Sequence, residues 1–600
     1  MEDALKQKQE AGAAIGDAIA HAFASLFANA RRLVTERRAE AVCSALLLLM
    51  AANLFASISR KSITNDEIVH IPAGYYHLVA GKFQLNNEHP PLVKMWAALP
   101  LLFIQPNEVA PPPGDVSGNF SQETWKYLQT FWPDNKDRAE AIYFWSRAMM
   151  VPIALAFGIL IFFYARGLFG ARTGVLAVAL YSFEPTVLAH GRIVHTDLPA
   201  ALAYLLFFFV LRRYLLERTL RRAIILGLVT GLGLVTKFSM IVLLPVLVCM
   251  IIAGIFLAPR WKENRRKILL HAGLVSCIIL GIINAAYYFK SPALEPADVK
   301  WVQLQSPSTF DNWMAFFRVG SKVVPTYYLF GQYNIQLHNR YGHATSLLGK
   351  HNYLGWWYYF PVAFALKTSL PFLAVSIVGL GGALWWLLKG KDKRFLWILI
   401  PFAIYAGMSM SSNINIGIRH FLPAYSFLFI AGGALLERLL RVRHARHLAI
   451  TLVFVILSWM AVEALRAYPD YIPYMNQLAS NHPHWWYLSD SNVEWGDDLN
   501  ALADYLHARG ETEVRGLLSG GWTTLGNYGI GYHEIFLKNI PQTRYVAIGA
   551  SSLNGSTIAV PADEEGRVVS EEERINYLDA YRKLQPEVVL GGSIYVYRMK

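Results

Sequence analysis

The sequence predicts a polytopic α-helical membrane protein with about eleven transmembrane helices and a small C-terminal α/β domain. The chain is 54% hydrophobic and only 16% charged, which is more apolar side chain than a soluble protein of 600 residues could bury in its core. Apolar runs of about 20 residues recur along it, each long enough to cross a bilayer. The net charge of +13 is divided into short clusters between these runs rather than spread over one surface, so we expect no nucleic-acid partner.

Eleven segments have the length and composition of membrane spans. They are roughly 39–58, 148–166, 172–190, 197–215, 222–236, 238–258, 268–288, 358–388, 395–411, 420–437 and 447–466. The closely spaced pair at 222–258 fits this criterion least well, and the segment 358–388 is long enough to include an interfacial part at its start.

Every second connection between these segments is strongly basic. The basic clusters lie at 31–38, 166–172, 212–222, 260–267, 389–394 and 438–446. Because cytoplasmic loops of membrane proteins carry an excess of Lys and Arg, this alternation predicts a cytoplasmic N-terminus and an extracytoplasmic C-terminus. Adding or removing one span in mid-chain would destroy the alternation, so it also supports the count of eleven.

This topology divides the chain into three regions. Residues 1–38 are predicted to be a cytoplasmic amphipathic segment along the membrane surface, residues 39–468 the transmembrane domain, and residues 469–600 an extracytoplasmic α/β domain. Two external loops interrupt the transmembrane domain, at 59–146 and at 290–357, and the second is rich in Tyr, Trp, Asn and His. The α/β prediction rests on local helical and strand-like patterns at Gly496–Ala508, Val514–Leu518, Tyr545–Ile548, Glu571–Leu584 and Ser593–Tyr597.

The first external loop carries the densest group of ionisable residues. They flank a short predicted helix at Ile71–Lys82 and are Asp66, Glu67, His70, Glu88, His89 and Lys94. A carboxylate at a membrane surface can take the proton of an acceptor hydroxyl, and a cation can hold a phosphate. An ordinary solvated loop is the alternative interpretation, since charged residues are usually exposed.

A second set of ionisable residues lies at the predicted external ends of the spans. Burying such groups in lipid is costly, so their joint placement predicts one polar, cationic cavity open to the outer leaflet. Its members are Arg147, Glu184, His190, Arg192, His195, Asp197, Lys237, Arg419 and His420. Taken alone, a member such as His190 is more often an interfacial histidine with satisfied hydrogen bonds.

The C-terminal region contains an acidic cluster of its own, formed by Asp490, Glu494, Trp495, Asp497 and Asp498. Such a cluster could bind a cation or a sugar. The favoured interpretation is a helix N-terminal cap with a solvated turn, because carboxylates are stabilised near helix N-termini.

These motifs resemble the protein O-mannosyltransferase superfamily, polyprenyl-phosphate-dependent glycosyltransferases of the GT-C fold that include the aminoarabinose transferases. The resemblance rests on the first-loop motifs together with four later segments, Thr196-Asp197-Leu198-Pro199, Thr236-Lys237, Arg419-His420-Phe421-Leu422-Pro423 and Asp490–Leu499. His89 departs from the aminoarabinose transferases, which resemble Glu-Lys-Pro-Pro here, and follows the mannosyltransferase-like His-Pro-Pro.

The resemblance implies a GT-C enzyme of the bacterial inner membrane that moves a sugar from a polyprenyl-phosphate donor to an acceptor hydroxyl, with inversion. It implies a catalytic set of Asp66, Glu67, Glu88 and His89, in which Asp66 is the base or orients the acceptor. It implies a donor-binding set of Lys94, Arg147, Arg192, His195, Asp197, Lys237, Arg419 and His420. No cofactor is fixed by these residues; a divalent metal is left open, with Glu88 as its candidate ligand.

Several alternatives stay open at this stage. The acceptor could be a protein, a lipid or a polysaccharide, and the C-terminal region could select it. A secondary transporter or lipid flippase is the competing class of function. Transporters tend to show internal repeats and helices broken at mid-membrane. The sequence has no evident repeat, and its charges lie at helix ends, which favours the enzyme.

Overall fold

The computed structural model describes residues 36–107, 127, 130–256, 261–536, 542–556, 558 and 570–599. Nearly all of the predicted cytoplasmic segment 1–38 lies outside these residues. The described chain is a bundle of helices in the region 36–467, followed by a region in which short helices accompany a five-stranded sheet.

Seven described helices are long and apolar enough to cross a membrane, which confirms the polytopic helical class. They are Glu36–Ile58, Lys136–Phe169, Asp197–Leu216, Arg265–Ala286, Leu370–Leu388, Ile418–Leu440 and Arg443–Ala467. In the helix that ends at Phe169, the apolar stretch runs over Met150–Phe169.

The other four predicted spans are also helical but shorter or interrupted. Two have 15 residues each, Leu220–Leu234 and Leu396–Met410. At 1.5 Å per residue such helices fall short of a hydrocarbon core about 30 Å thick. The third is Ala171–Ser182 followed by Pro185–His190, and the fourth is a 3-10 turn, Phe238–Val242, continued by Leu243–Phe256. The count of eleven spans therefore stays a prediction.

Proline sets two of the helix boundaries that the sequence pattern did not resolve. Pro185 occupies the first turn after the break at Phe183–Glu184, and Pro371 lies in the first turn of Leu370–Leu388. The predicted segment 358–388 is thus two helices, Tyr359–Lys367 and Leu370–Leu388. Proline suits the first turn because its missing N–H would have no helical partner there.

The two ends of the bundle differ in chemistry. At one end, here called the basic end, Arg394 and Arg438 share the carboxylate of Asp392 at 2.8 Å and 2.7 Å. The opposite end, here called the loop end, carries both external loops and the C-terminal region. These pieces contact one another: His351 Nε2 lies 2.8 Å from the carbonyl oxygen of Asn554. This separation is the one that the charge alternation predicts.

The first external loop begins with the helix Asn65–Ala80, which starts six residues before the predicted Ile71. Thr64 and Glu67 form a capping box at its start, so the acidic residues lie in its first turn. Two short helices follow, Pro91–Ala98 and Leu101–Ile104. The second loop contains the helices Pro296–Gln305, Phe310–Gly320 and Thr326–Tyr341, then a hairpin of β1 (Thr345–Leu347) and β2 (Lys350–Asn352).

The C-terminal sheet contains β3 (Glu513–Leu517), β4 (Gly531–Glu534), β5 (Tyr545–Gly549), β6 (Val588–Leu590) and β7 (Ile594–Arg598). Their order is β4-β3-β5-β7-β6, with β3 parallel to β4 and β5, and β7 antiparallel to β5 and β6. The helix Leu499–His507 packs on the sheet through Leu502 and Leu506. The predicted helix at 571–584 is two short ones, Glu571–Asn576 and Asp579–Lys583.

Buried charges attach the C-terminal region to the loop end. Lys61 contacts both Asp470 and Asp498, and Arg192 pairs with Asp497 at 2.7 Å. Asp497 and Asp498 are almost wholly buried. The favoured interpretation of the acidic cluster as a solvated turn was therefore wrong, because these carboxylates find cations on other parts of the chain.

Candidate active site

A cavity of about 1400 Å³ opens at the loop end of the bundle. It is larger than the 300–1,000 Å³ of typical small-molecule pockets. The first external loop, the helix ends, the second external loop and the C-terminal region all contribute to its wall. Six of the predicted site residues line it, namely Asp66, Glu88, His89, Lys237, Arg419 and His420.

An ion-pair network lies in the wall of this cavity. Arg419 donates to Asp66 Oδ2 at 2.6 Å and lies 3.7 Å from Asp197 Oδ2. Lys237 donates to the other oxygen of Asp197, and His195 Nδ1 lies 3.1 Å from Asp197. Arg419 Nε is buried without a hydrogen-bond partner in the described part of the chain. Lys237 and Arg419 are therefore fixed by carboxylates, and the buried Nε–H of Arg419 is left without a partner among the described residues.

Burial and charge act in opposite directions on the first-loop carboxyls. Burial alone would raise the pKa of Asp66, but the Arg419 guanidinium holds that pKa below its usual range. Burial raises the pKa of Glu88 to about 8, with a further contribution from Asp66 and an opposing one from Lys94. At neutral pH Asp66 is thus ionised and Glu88 largely protonated. Two neighbouring carboxyls with separated pKa values are typical of sites that perform acid–base chemistry.

Lys94 lies behind the cavity wall rather than in it. Its Nζ donates to the carbonyl oxygen of Asn86 at 2.5 Å. Burial lowers the pKa of Lys94 to about 7, against the opposing charge of Glu88. The pKa of His89 lies well below its ordinary value, because of burial and then of the neighbouring Lys237, so His89 is neutral at neutral pH.

The helix-end residues predicted a cationic cavity, but the described wall contains more acidic than basic residues. The acidic residues in the described wall are Asp66, Glu88, Asp490, Glu494 and Glu571, and the basic ones are Lys237, Arg419 and Arg574. The difference arises because the C-terminal region closes one side and brings acidic groups with it. Glu494 is among them; it accepts from the backbone N–H groups of Ser519 and Ser551 at 2.9 Å and 3.0 Å.

Arg147 and Glu67 form a fully buried pair away from the cavity. Arg147 donates to both oxygens of Glu67, at 2.9 Å and 2.6 Å, and to the carbonyl oxygens of Lys61 and Ser62. Glu67 also accepts from the N–H of Val194 at 2.9 Å. The predicted role of Arg147 in binding a phosphate does not fit these surroundings, because both residues hold the start of the first-loop helix in place.

Three further members of the predicted donor set also lie behind the wall, namely Arg192, His195 and Asp197. Arg192 donates a hydrogen bond to Asp497 at 2.7 Å, and His195 Nε2 lies 2.9 Å from the carbonyl oxygen of His190. His195 and Asp197 support Lys237 and Arg419 from behind, so a role in binding the donor directly is left to the residues in the wall. Glu184 and His190 are buried in the bundle outside the cavity lining; Glu184 accepts from the hydroxyl of Ser369 at 2.8 Å.

The second external loop supplies site residues that sequence reasoning did not select. Gln332, Asn334, His338 and His343 line the cavity. His338 Nε2 lies 3.0 Å from His343 Nδ1. Their signal in the sequence was the excess of Asn, Tyr and His in 290–357, which marks a polar loop without showing which members face inward.

Within the described ranges, no three His, Cys, Asp or Glu side chains converge well enough to hold a metal ion. Glu88, the candidate ligand, has Asp66 as a neighbouring carboxyl, but the two belong to no group of three such metal-binding side chains among the described residues. The described wall residues therefore do not form a ready metal centre.

Acid–base groups and two cations paired with carboxylates thus lie together at the loop end of the helical bundle. A family model for dolichyl-phosphate-mannose-protein mannosyltransferase matches residues 135–286. This match confirms the predicted resemblance to the GT-C membrane glycosyltransferases, on the segment that carries Arg192, Asp197 and Lys237.

Several solved structures are similar to this chain. ArnT of Cupriavidus metallidurans bound to undecaprenyl phosphate is 14% identical, covering 93% of this chain and 97% of its own, with a TM-score of 0.45. A protein O-mannosyltransferase complex of S. cerevisiae bound to the sugar donor is 11% identical, covering 72% and 89%, with a TM-score of 0.47. The oligosaccharyltransferase of Archaeoglobus fulgidus is 12% identical, covering 84% and 68%, with a TM-score of 0.44. A comparison with curated proteins gave no match.

Proposed function

We propose that this chain transfers a sugar from a polyprenyl-phosphate donor to an acceptor hydroxyl at the extracytoplasmic face of the membrane. The observation that carries the proposal is the cavity in which Asp66 and Glu88 meet Lys237 and Arg419. The family match over residues 135–286 supports the same chemistry. The basic end of the bundle lies opposite the cavity, which supports an orientation with the N-terminus in the cytoplasm of a bacterium.

In the proposed reaction the phosphate of the donor binds to Arg419 and Lys237. The bond between the anomeric carbon and the phosphate oxygen breaks, and the two cations neutralise the charge that develops on the departing phosphate. The acceptor oxygen attacks the opposite side of the anomeric carbon, which inverts its configuration. The proton of the acceptor hydroxyl passes to Asp66.

Donor binding would also activate the base. Without donor, Asp66 is held by Arg419 at 2.6 Å, which lowers the pKa of the carboxyl and weakens it as a base. A phosphate that engages the Arg419 guanidinium competes with Asp66 for its charge. The pKa of Asp66 then rises toward the value that suits proton transfer near neutral pH. The pairing of Arg419 with Asp66 thus links the binding of donor to the activation of acceptor.

The proposed donor is a hexosyl or pentosyl polyprenyl phosphate, and the proposed acceptor is a protein, a lipid or a polysaccharide. His89 in the Glu-His-Pro-Pro motif favours a mannosyltransferase-like donor over aminoarabinose. The cavity volume leaves room for both a sugar phosphate and part of an acceptor.

The test is an Asp66→Asn variant in proteoliposomes supplied with a polyprenyl-phosphate sugar. We expect the rate of sugar transfer to fall at least about 100-fold, because the amide cannot accept the proton. Asp137→Asn is the matched control, since Asp137 is an exposed aspartate of the same loop. Full transfer by Asp66→Asn would refute the catalytic assignment. Movement of the lipid across the bilayer without any transfer by the unaltered protein would favour the flippase instead.

The affinity for donor should fall as the pH rises from 6 to 9. Lys94 loses its proton near pH 7 and Glu88 loses its own near pH 8, so this pair changes from one positive to one negative charge. The phosphodiester of the donor keeps its single negative charge throughout. We expect the KM for donor to rise about tenfold from this repulsion at short range.

Glu88→Gln is the control for this pH dependence. The variant should lose the change near pH 8 and should show the Lys94 change at a lower pH than the unaltered protein, because the charge of Glu88 no longer raises the pKa of Lys94. A KM for donor that is flat from pH 6 to 9 in the unaltered protein would contradict the assignment of this pair.

A further inference from the structure

One aromatic side chain of the C-terminal region reaches into the ion-pair network of the cavity. The guanidinium carbon of Arg419 lies 4.1 Å from the centre of the Trp495 ring. Trp495 is 3% exposed, so this cation–π contact is shielded from water. Cation–π contacts are stronger when they are shielded from water. Trp495 lines the same cavity as Arg419.

The guanidinium that stacks on the Trp495 ring is also attracted by two carboxylates. Arg419 lies 2.6 Å from Asp66 and 3.7 Å from Asp197, and its Nε has no hydrogen-bond partner among the described residues. A stacked ring fixes the plane of a guanidinium. Without that plane, the guanidinium would turn further toward the two carboxylates, and fewer of its N–H groups would remain for a phosphate.

Contacts on both sides of Trp495 hold the ring in place. Its carbonyl oxygen accepts from the N–H of Asn65 at 2.8 Å, and the carbonyl oxygen of Asp497 accepts from the N–H of Ser62 at 3.0 Å. Gly496 between them has φ +90, a conformation that glycine adopts readily. This turn lets Trp495 face Arg419 while the next side chain, Asp497, pairs with Arg192.

We infer that Trp495 is a positioning residue through which the C-terminal region completes the donor-phosphate site. The inference rests on the proposed function and adds a role for a region that would otherwise be assigned to the acceptor. The ring holds the plane of the Arg419 guanidinium at the cavity wall, and the docking of residues 495–498 on the first loop keeps the ring there.

Binding of undecaprenyl phosphate to the purified full chain tests this role without requiring turnover. We expect Trp495→Leu to bind it about tenfold more weakly than the unaltered protein, and Trp495→Phe to bind it with an intermediate affinity, because a smaller and weaker ring remains. Trp485→Leu is the matched control, since Trp485 lies 5.9 Å from Arg582 within the C-terminal region and outside the cavity. It should bind with unchanged affinity.

A double-mutant cycle separates positioning from a general structural role. If Trp495 acts through Arg419, Trp495→Leu should cause no further loss of affinity in an Arg419→Gln background. An equal loss in both backgrounds would overturn the inference, as would unchanged binding by Trp495→Leu. Failure of the unaltered protein itself to bind undecaprenyl phosphate would instead count against the proposed function. If Trp495→Leu does not fold, the comparison of Trp495→Phe with the unaltered protein decides: a lower affinity supports the inference, and an equal affinity with an equal KM for donor overturns it.

Discussion

Replacing Arg419 with Gln should lower kcat/KM for sugar transfer by about a thousandfold. The guanidinium is the cation through which the donor phosphate would be stabilised, and loss of one such donor to a developing anion typically costs 10²–10³-fold, as a rough guide. The substitution also leaves Asp66 without its partner, since Arg419 is the residue that contacts it at 2.6 Å. The measurement is single-turnover transfer from a radiolabelled donor in proteoliposomes.

Two further variants show whether charge or geometry matters in that result. Arg419→Lys keeps the charge but loses the planar fork and its stacking on Trp495, so we expect an intermediate loss of about tenfold to a hundredfold. Arg441→Gln removes an exposed guanidinium at the basic end and should leave transfer unchanged. Transfer by Arg419→Gln within threefold of the unaltered rate would show that the phosphate is held elsewhere.

The convergence of Asp66, Lys237 and Arg419 was predictable from the sequence. The alternation of basic connections assigned one side of the membrane to the first loop and to the ends of particular spans. Ionisable groups at helix ends avoid lipid, so they face protein or water at that side. Those two constraints leave a shared cavity as the natural meeting place, although Lys237 and Arg419 follow Asp66 by 171 and 353 positions in the chain.

The direction in which each charged side chain points was not predictable. Arg147 and Arg419 both lie at helix ends at the loop end of the bundle, and the local sequence does not show which of them faces the cavity. Arg147 is wholly buried because residues 61–67 fold back over it and supply four oxygen acceptors. That path depends on the capping of the helix at Thr64 and on the docking of the C-terminal region, neither of which a local pattern contains.

The acidic cluster near residue 495 was misinterpreted for a related reason. A run of carboxylates is usually solvated, and local composition offers no sign that Lys61 and Arg192 lie opposite them. Burial of these groups is decided by partners more than 300 positions away in the chain. The same segment brings Trp495 to the wall of the cavity.

Replacing Arg147 with Met should destabilise the protein by about 3–5 kcal/mol. The variant leaves the Glu67 carboxylate buried without its cation, and breaking a buried pair by removing one partner typically has a cost of this size. Burial alone would raise the pKa of Glu67, and Arg147 is the main group that holds it below the usual range. The measurement is the midpoint of thermal unfolding in detergent, followed by the loss of helical circular dichroism.

The double variant Glu67→Gln with Arg147→Met distinguishes this structural role from a catalytic one. It removes both charges, so it should be more stable than Arg147→Met alone, and Arg318→Met on an exposed helix of the second loop should match the unaltered protein. Because Arg147 is wholly buried outside the cavity lining, the affinity of folded Arg147→Met for undecaprenyl phosphate should change little. Full stability together with a large loss of that affinity would instead show that Arg147 binds the donor phosphate, as its position at a helix end predicts.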